Sequence, residues 1–272
     1  MNEDFWQRQD AAKPLFPDLL WSRPENRSAA GKLLIAGGNA HEFAAPGEAY
    51  NEAAKAGVGT ARVLLPDALQ KTVGPILEAG EFAPSTKTSG SFSQKALDDF
   101  LVQGNWADGV LLAGDFGRNA ETAILLEKFL AHHHGQITLT RDACDYASSA
   151  PYTVLQRADT LLVLSLSQLQ RLGIAAKVHT PITFGMDLLR LVAWLHDFTL
   201  THKPFIITKH LDTIFVAVDG QVSTTKLAGD LAVWRVKTAA HAAVWWLQNP
   251  TKPFESLTTA VVQDAQLPQN AS

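Results

Sequence analysis

The segment TTKLAGDLAVWRVKTAAHAAVWW, residues 224–246, sets Gly229 and Asp230 in front of an Ala-rich apolar run. The first N–H groups of a helix have no intrahelical partner. A glycine turn opening onto a helix is therefore suited to holding an anion. An aspartate in such a turn is placed to act as a base beside a bound phosphate, and it is equally well placed as a helix cap. Other glycine- and carboxylate-bearing stretches follow apolar runs. In AGGNAHEF, Gly37 and Gly38 let backbone approach a ligand closely, and Asn39 could hydrogen-bond one; a tight strand-to-helix turn accounts for the same residues. The spacing is not GxGxxG, so a dinucleotide fingerprint is not supported. In AGDFGRNAE, Gly114 and Gly117 precede a helix start and Arg118 adds positive charge, with Asn119 as an ordinary cap. In RDACD, Asp142 and Asp145 flank the lone Cys144; two carboxylates at a strand end can hold Mg²⁺ or simply shape a turn.

Two patterns read as structural. Ser165 with Gln168 forms an S-x-x-Q capping box. His132, His133 and His134 are consecutive; side chains about 100° apart around a helix do not converge on one ion, so a helix C-terminus favouring cationic side chains is the better account. His179, His196, His202, His210 and His241 lack H-E-x-x-H spacing, and no metal is assigned.

The elements that must position these residues are legible in the apolar pattern. Strands are expected at 32–38, 60–66, 108–114, 136–140, 159–165 and 204–209, with a further pair across 213–224 turning at Asp219-Gly220. Helices are expected at 45–57, 91–104, 119–135, within 181–203, and at about 231–248 and 254–264. The strands are continuous apolar runs, as in sheets covered on both faces. The fold class is α/β: a three-layer sandwich with a mostly parallel central sheet flanked by helices. Residues 1–30 read as an irregular arm packing back through Phe5, Trp6, Phe16, Leu19, Leu20 and Trp21, and 31–272 as a single domain. Ligands of such sheets lie beyond the carboxyl ends of the strands, where all the stretches above fall.

Composition narrows the classes. The chain has 272 residues, net charge −4, and no dense Lys/Arg run, which argues against nucleic acid as the main partner. No apolar run approaches the roughly 18 residues of a membrane span. A single cysteine and a polar, acidic N-terminus point to a cytoplasmic protein.

Taken in order, the segments from about 30 to 262 resemble the ADP- or ATP-dependent NAD(P)H-hydrate dehydratases of the ribokinase-like superfamily. GKLLIAGGNAHEFAAPGEAYNEAAKAGVGTARVLLPD resembles the family's opening, DGVLLAGDFGRNAE its D-V-I-G-P-G-L-G-R, FIITKHLDTIFVAVDGQV its V-L-K-G and DG segments, and KPFESLTTAV its closing P-F-E. The resemblance implies a ribokinase-like fold and dehydration of hydrated NADH or NADPH, driven by ADP or ATP with Mg²⁺. It implies a phosphate hole of G-x-G-D type, with Asp230 as catalytic residue and Lys209 and Gly229 near phosphates. Gly37, Gly38, Asn39, Gly117, Arg118 and Asp142 would lie near the substrate. It also implies a small-molecule nucleotide ligand and a homo-oligomer, for which the Trp245/Trp246 pair could serve as interface or, equally, lie in the core.

The departures from the family pattern are specific. Its T-P-H-P-G-E falls on V-L-S-L-S-Q, so Gln168 replaces a glutamate and Ser165 a histidine. Thr140 replaces the first Asp of D-A-D-A-L, Ala113 and Asp115 replace two glycines, and His210 replaces the glycine after Lys209. The catalytic motif aligns in two ways, with either Asp230 or Trp234 at the catalytic position. Three readings stay open: a divergent member with weakened or lost catalysis that still binds a nucleotide, an active dehydratase, and a sugar or vitamin kinase of the same superfamily.

Overall fold

The structure is a computed structural model that describes residues 4–227 and 234–266. Ten strands form one sheet: β1 (Trp6–Gln9), β2 (Lys32–Gly37), β3 (Thr60–Pro66), β4 (Gly80–Ala83), β5 (Gly109–Gly114), β6 (Gln136–Thr140), β7 (Thr160–Ser165), β8 (Phe205–His210), β9 (Thr213–Val218) and β10 (Gln221–Lys226). The helices are α1 (Pro17–Trp21), α2 (Ala44–Lys55), α3 (Gln70–Val73), α4 (Leu97–Trp106), α5 (Ala120–His132), α6 (Asp142–Ser149), α7 (Pro151–Leu155), α8 (Leu166–Ala175), α9 (Leu188–Thr201), α10 (Arg235–Gln248) and α11 (Pro253–Gln266). The strand order is β1-β10-β9-β8-β7-β6-β5-β2-β3-β4, and only β9 runs against the rest.

Alternation along each strand divides the core. In β2, Leu33 and Ile35 face a layer made by α1, α2, α10 and α11, while Leu34 and Ala36 face the layer made by α4 to α9. Helix α10 is buried nearly all round, with Ala239, Ala240, Ala242 and Ala243 letting it lie close between α2, α11 and the middle of the sheet. Trp245 and Trp246 are each 1% exposed. They belong to this core, so the interface alternative for them is removed.

The N-terminal segment is less irregular than expected. β1 pairs in parallel with β10, Gln9 donates to Thr225 and to the Thr258 carbonyl, and Phe5 stacks on His196. Of the six apolar residues expected to pack back, Trp21 does not; it is 87% exposed. The helix expected at 91–104 begins later, because Phe92 is pinned in the core with its carbonyl accepting from Thr122. Strand β4 and helices α3, α6 and α7 are too short to leave a readable period in the sequence.

The triple histidine also divides. α5 ends at His132, and His133 leaves the helix in an extended conformation. Its ring is buried, stacks on Phe129, and lies against Gly104 and Gly135, where any side chain would collide with it. Burial, with Arg157 and His134 nearby, pushes its pKa down to about 4. His133 is therefore neutral near pH 7, not the cationic helix end expected. The unfolded chain takes up this proton near pH 6.5 and the folded chain only near 4, so stability is lost as pH falls through that window. Thermal melts of wild type and His133→Leu from pH 7.5 to 4 should show the larger acid loss in wild type.

Candidate functional site

Strands β2, β3 and β4 extend to one side and β5 to β8 to the other, so the order reverses between β2 and β5. Brought together at the carboxyl ends of these two strands are Gly37, Gly38, Asn39, Gly114, Asp115 and Gly117, at the place where such sheets bind ligands. The glycines are required here by the chain itself. A side chain on Gly37 would meet the Gly114 carbonyl at 2.3 Å, and Gly38, at φ +91°, donates to that same carbonyl. Gly114 has φ +111°, and a Cβ there would press on Arg141. Asn39 is wholly engaged: its Nδ2 donates to the Asp115 carbonyl at 2.8 Å, and its Oδ1 accepts from the His41 and Glu42 N–H groups. Of the two readings for GGN, the tight turn accounts for every bond.

Asp115 resolves one departure from the family pattern. Its carboxylate, 4% exposed, lies 2.7 Å from the Arg141 guanidinium and accepts the Ala45 N–H at 2.8 Å in the first turn of α2. Nothing in the local sequence points to Arg141 as its partner. Both residues adopt positive φ, +61° and +53°, a conformation that costs on the order of 1–3 kcal/mol for non-glycine residues.

Asp142 opens α6 and accepts the Gly117 N–H through Oδ2, while its Oδ1 is buried without a hydrogen-bond partner. Burial pushes its pKa up to about 6 against the pull of the Gly117 N–H, with Asp115 adding to the rise. Asp142 and Asp145, together with Arg118, Asn119 and Tyr146, line a cleft of about 350 Å³. Arg118 is exposed on its rim. Asp145 Oδ1 is held by Arg171 at 2.6 Å and by the Gln168 amide at 3.0 Å, contacts that a Mg²⁺ shared with Asp142 would have to displace. Among the described residues no group of three or more His, Cys, Asp or Glu side chains is placed to hold a metal ion. Cys144 is buried, and its thiol is pushed far above the ordinary range by burial, so it is not a nucleophile.

Gln168 is the most constrained polar side chain of the region. The Ser165–Gln168 capping box is present at the start of α8. The Gln168 Nε2 donates to the Arg141 carbonyl at 2.7 Å and to Asp145 Oδ1, and its Oε1 accepts from Ser165 and, at 3.4 Å, from Arg235. A primary amide supplies two donors on its nitrogen and an acceptor on its oxygen, a set that an ionised carboxylate lacks.

Because β9 runs against the other strands, β10 ends at the same sheet edge as β8, and α10 starts near that edge, with Arg235 at 3.4 Å from Gln168. Trp234 is the N-cap of α10, is half-buried, and packs against the α2/α10/α11 layer; it makes no side-chain cap. Arg235 opens the helix, and no acidic residue lies in its first turn. Lys209 lies on β8 in register with Ser165. Gly229 and Asp230 lie outside the described residues.

No protein-family model matches the sequence, and neither does any curated protein sequence. Solved structures match over nearly the whole chain. A ribokinase-like superfamily protein of Enterococcus faecalis V583 superposes with TM-score 0.71 at 15% identity, covering 96% of this chain and 87% of the other. A hypothetical protein of Streptococcus mutans gives TM-score 0.68 at 14% identity over 95% and 89%. The ADP/ATP-dependent NAD(P)H-hydrate dehydratase of Bacillus subtilis, co-crystallised with ATP and Mg²⁺, gives 0.62 at 10% identity over 93% and 87%. The chain has the ribokinase-like fold.

Two outcomes test this geometry. Asp142→Asn keeps an acceptor for the Gly117 N–H but removes a carboxylate whose folded pKa lies above its unfolded value. That group costs stability increasingly as pH rises from about 4 to about 6. The variant should melt higher than wild type at pH 7.5, with the gain vanishing near pH 4. Gln168→Glu loses both donated bonds and sets a carboxylate against Asp145; denaturant unfolding at pH 8 should show a loss on the order of 2 kcal/mol, smaller at pH 5, where protonation restores a donor.

Proposed function

We propose that this chain is a divergent relative of the NAD(P)H-hydrate dehydratases within the ribokinase-like superfamily, that it binds ADP or ATP, and that its dehydratase chemistry is weakened or lost. The observation that carries this reading is Gln168. The family resemblance implies a glutamate at this position, and here an amide is committed on both sides to Arg141, Asp145 and Ser165. It cannot act as a base or hold a metal-bound water as a carboxylate does.

Nucleotide binding is supported by the start of α10. Its N-cap residue, Trp234, makes no side-chain cap, its first turn carries no acidic residue, and Arg235 is its first residue, a polarity suited to phosphate. In this reading Gly229 and Lys209 contact the phosphates and Asp230 faces the substrate hydroxyl. Phosphoryl transfer would still need charge neutralisation, and Asp115 and Asp145 are paired with Arg141 and Arg171. A hydrated nicotinamide nucleotide would enter along Gly37, Gly38, Asn39, Gly117, Arg118 and Asp142. The Bacillus subtilis neighbour's co-crystallisation with ATP and Mg²⁺ agrees with an adenine nucleotide as ligand.

Thermal melts with ADP and ATP, with and without Mg²⁺, test binding, and a hydrate-dehydration assay tests chemistry. The expected result is a saturable rise in Tm of a few degrees, lost in Lys209→Ala, with turnover absent or marginal. Efficient hydrate turnover abolished by Asp230→Ala would establish an active dehydratase instead. No nucleotide-dependent shift at all would refute the binding claim.

A further inference from the structure

The Asp115–Arg141 pair has a geometry that an ordinary surface ion pair does not need. The Asp115 side chain is only 3% exposed, while Arg141 keeps 39% of its side chain in solvent. The carboxylate is seated on the first turn of α2, whose own N-cap, Phe43, supplies no side-chain acceptor. It is held there by consecutive positive φ values at Gly114 and Asp115, and its partner Arg141 is held by another. Helix N–H, guanidinium and carboxylate thus meet as they would around a bound anion, except that the anion belongs to the chain. The neighbouring charges reinforce this. Glu48 faces the pair from α2, its pKa raised by burial and by Glu52 and Asp115, and Asp142 faces it from α6.

We propose that the Asp115 carboxylate is a built-in anion that fills the positive pole of the β2–β5 crevice, so that the crevice rejects phosphate and accepts only an uncharged or cationic part of a ligand. Phosphate groups are then turned towards α10, which fixes the direction in which a nucleotide-bearing ligand can lie. This orientation rests on the reading of the crevice as a substrate site; the internal-anion claim itself does not.

The test is chemical rescue. Asp115→Gly removes the carboxylate and relieves the positive φ. At constant ionic strength in chloride, formate and then inorganic phosphate are titrated while Tm is read. Wild type should show no response from this crevice. Asp115→Gly should show a saturable rise in Tm, and Asp115→Gly/Arg141→Met should lose it. A formate-dependent rise of equal size in wild type or in the double variant overturns the proposal, as does the absence of any rise in Asp115→Gly beyond that of wild type. Should Asp115→Gly fail to fold in chloride, recovery of folded protein on adding formate is the same readout, and failure to recover with either anion overturns the claim. Phosphate can also settle at α10 in every variant, so the claim is read from the rise that Asp115→Gly shows over wild type, a difference that nucleotide binding at α10 does not alter.

Discussion

The arrangement depends on the close approach of α10 to the sheet. A helix carrying large side chains on that face would stand off from β5, β6 and β7; four alanines let it settle between α2 and α11. Its axis is then set, and with it the point where the chain re-enters the carboxyl edge of the sheet. The two tryptophans at its far end fill the remaining space against Phe205 and Arg23. His241, on the same helix, meets Glu52 of α2 at 3.2 Å, one of the few polar contacts in an otherwise apolar layer.

Around the strand ends, groups that sequence presents as ligand contacts bond other parts of the same chain, with the buried Asp142 Oδ1 the exception. Asn39 bonds the Asp115 carbonyl and its own turn, Asp115 bonds Arg141 and α2, Asp145 bonds Arg171 and Gln168, and Asp142 bonds Gly117. Each of these bonds shifts the region towards a self-contained polar network. Among the described residues, the cleft of about 350 Å³ rimmed by Arg118 is the space left at these strand ends.

The order of strands and long helices was readable because each carries an unbroken apolar run or a clear helical period, and so was the position of Gly37, Gly38, Asn39, Gly117 and Asp142 at or just beyond strand ends. Their roles were not readable. A glycine needed because Gly114 presses on it looks the same in sequence as a glycine needed for a ligand. The Asp115–Arg141 pair joins two loops through positive φ at ordinary residues, and no local pattern encodes that. His133 was misread for a related reason: three identical residues share one pattern, but only the second is carried out of the helix and into the core. Gln168 was the opposite case, since its capping partner sits three residues away and the motif is local.

Strand β1 has a consequence for the order in which the protein is completed. Its contacts with β10 join residues 218 and 216 positions apart. During synthesis β1 is made before β2 to β9, yet the strand it must pair with is made only after almost the whole sheet. Until then Phe5 and Trp6 have no place to pack, and the β10 edge, once formed, has open backbone groups until β1 arrives. The loop that closes is nearly the full chain, so this pairing pays the largest closure entropy in the sheet and forms late. The segment around β1 is thus among the last to be ordered, and once paired it becomes the sheet's edge in place of β10.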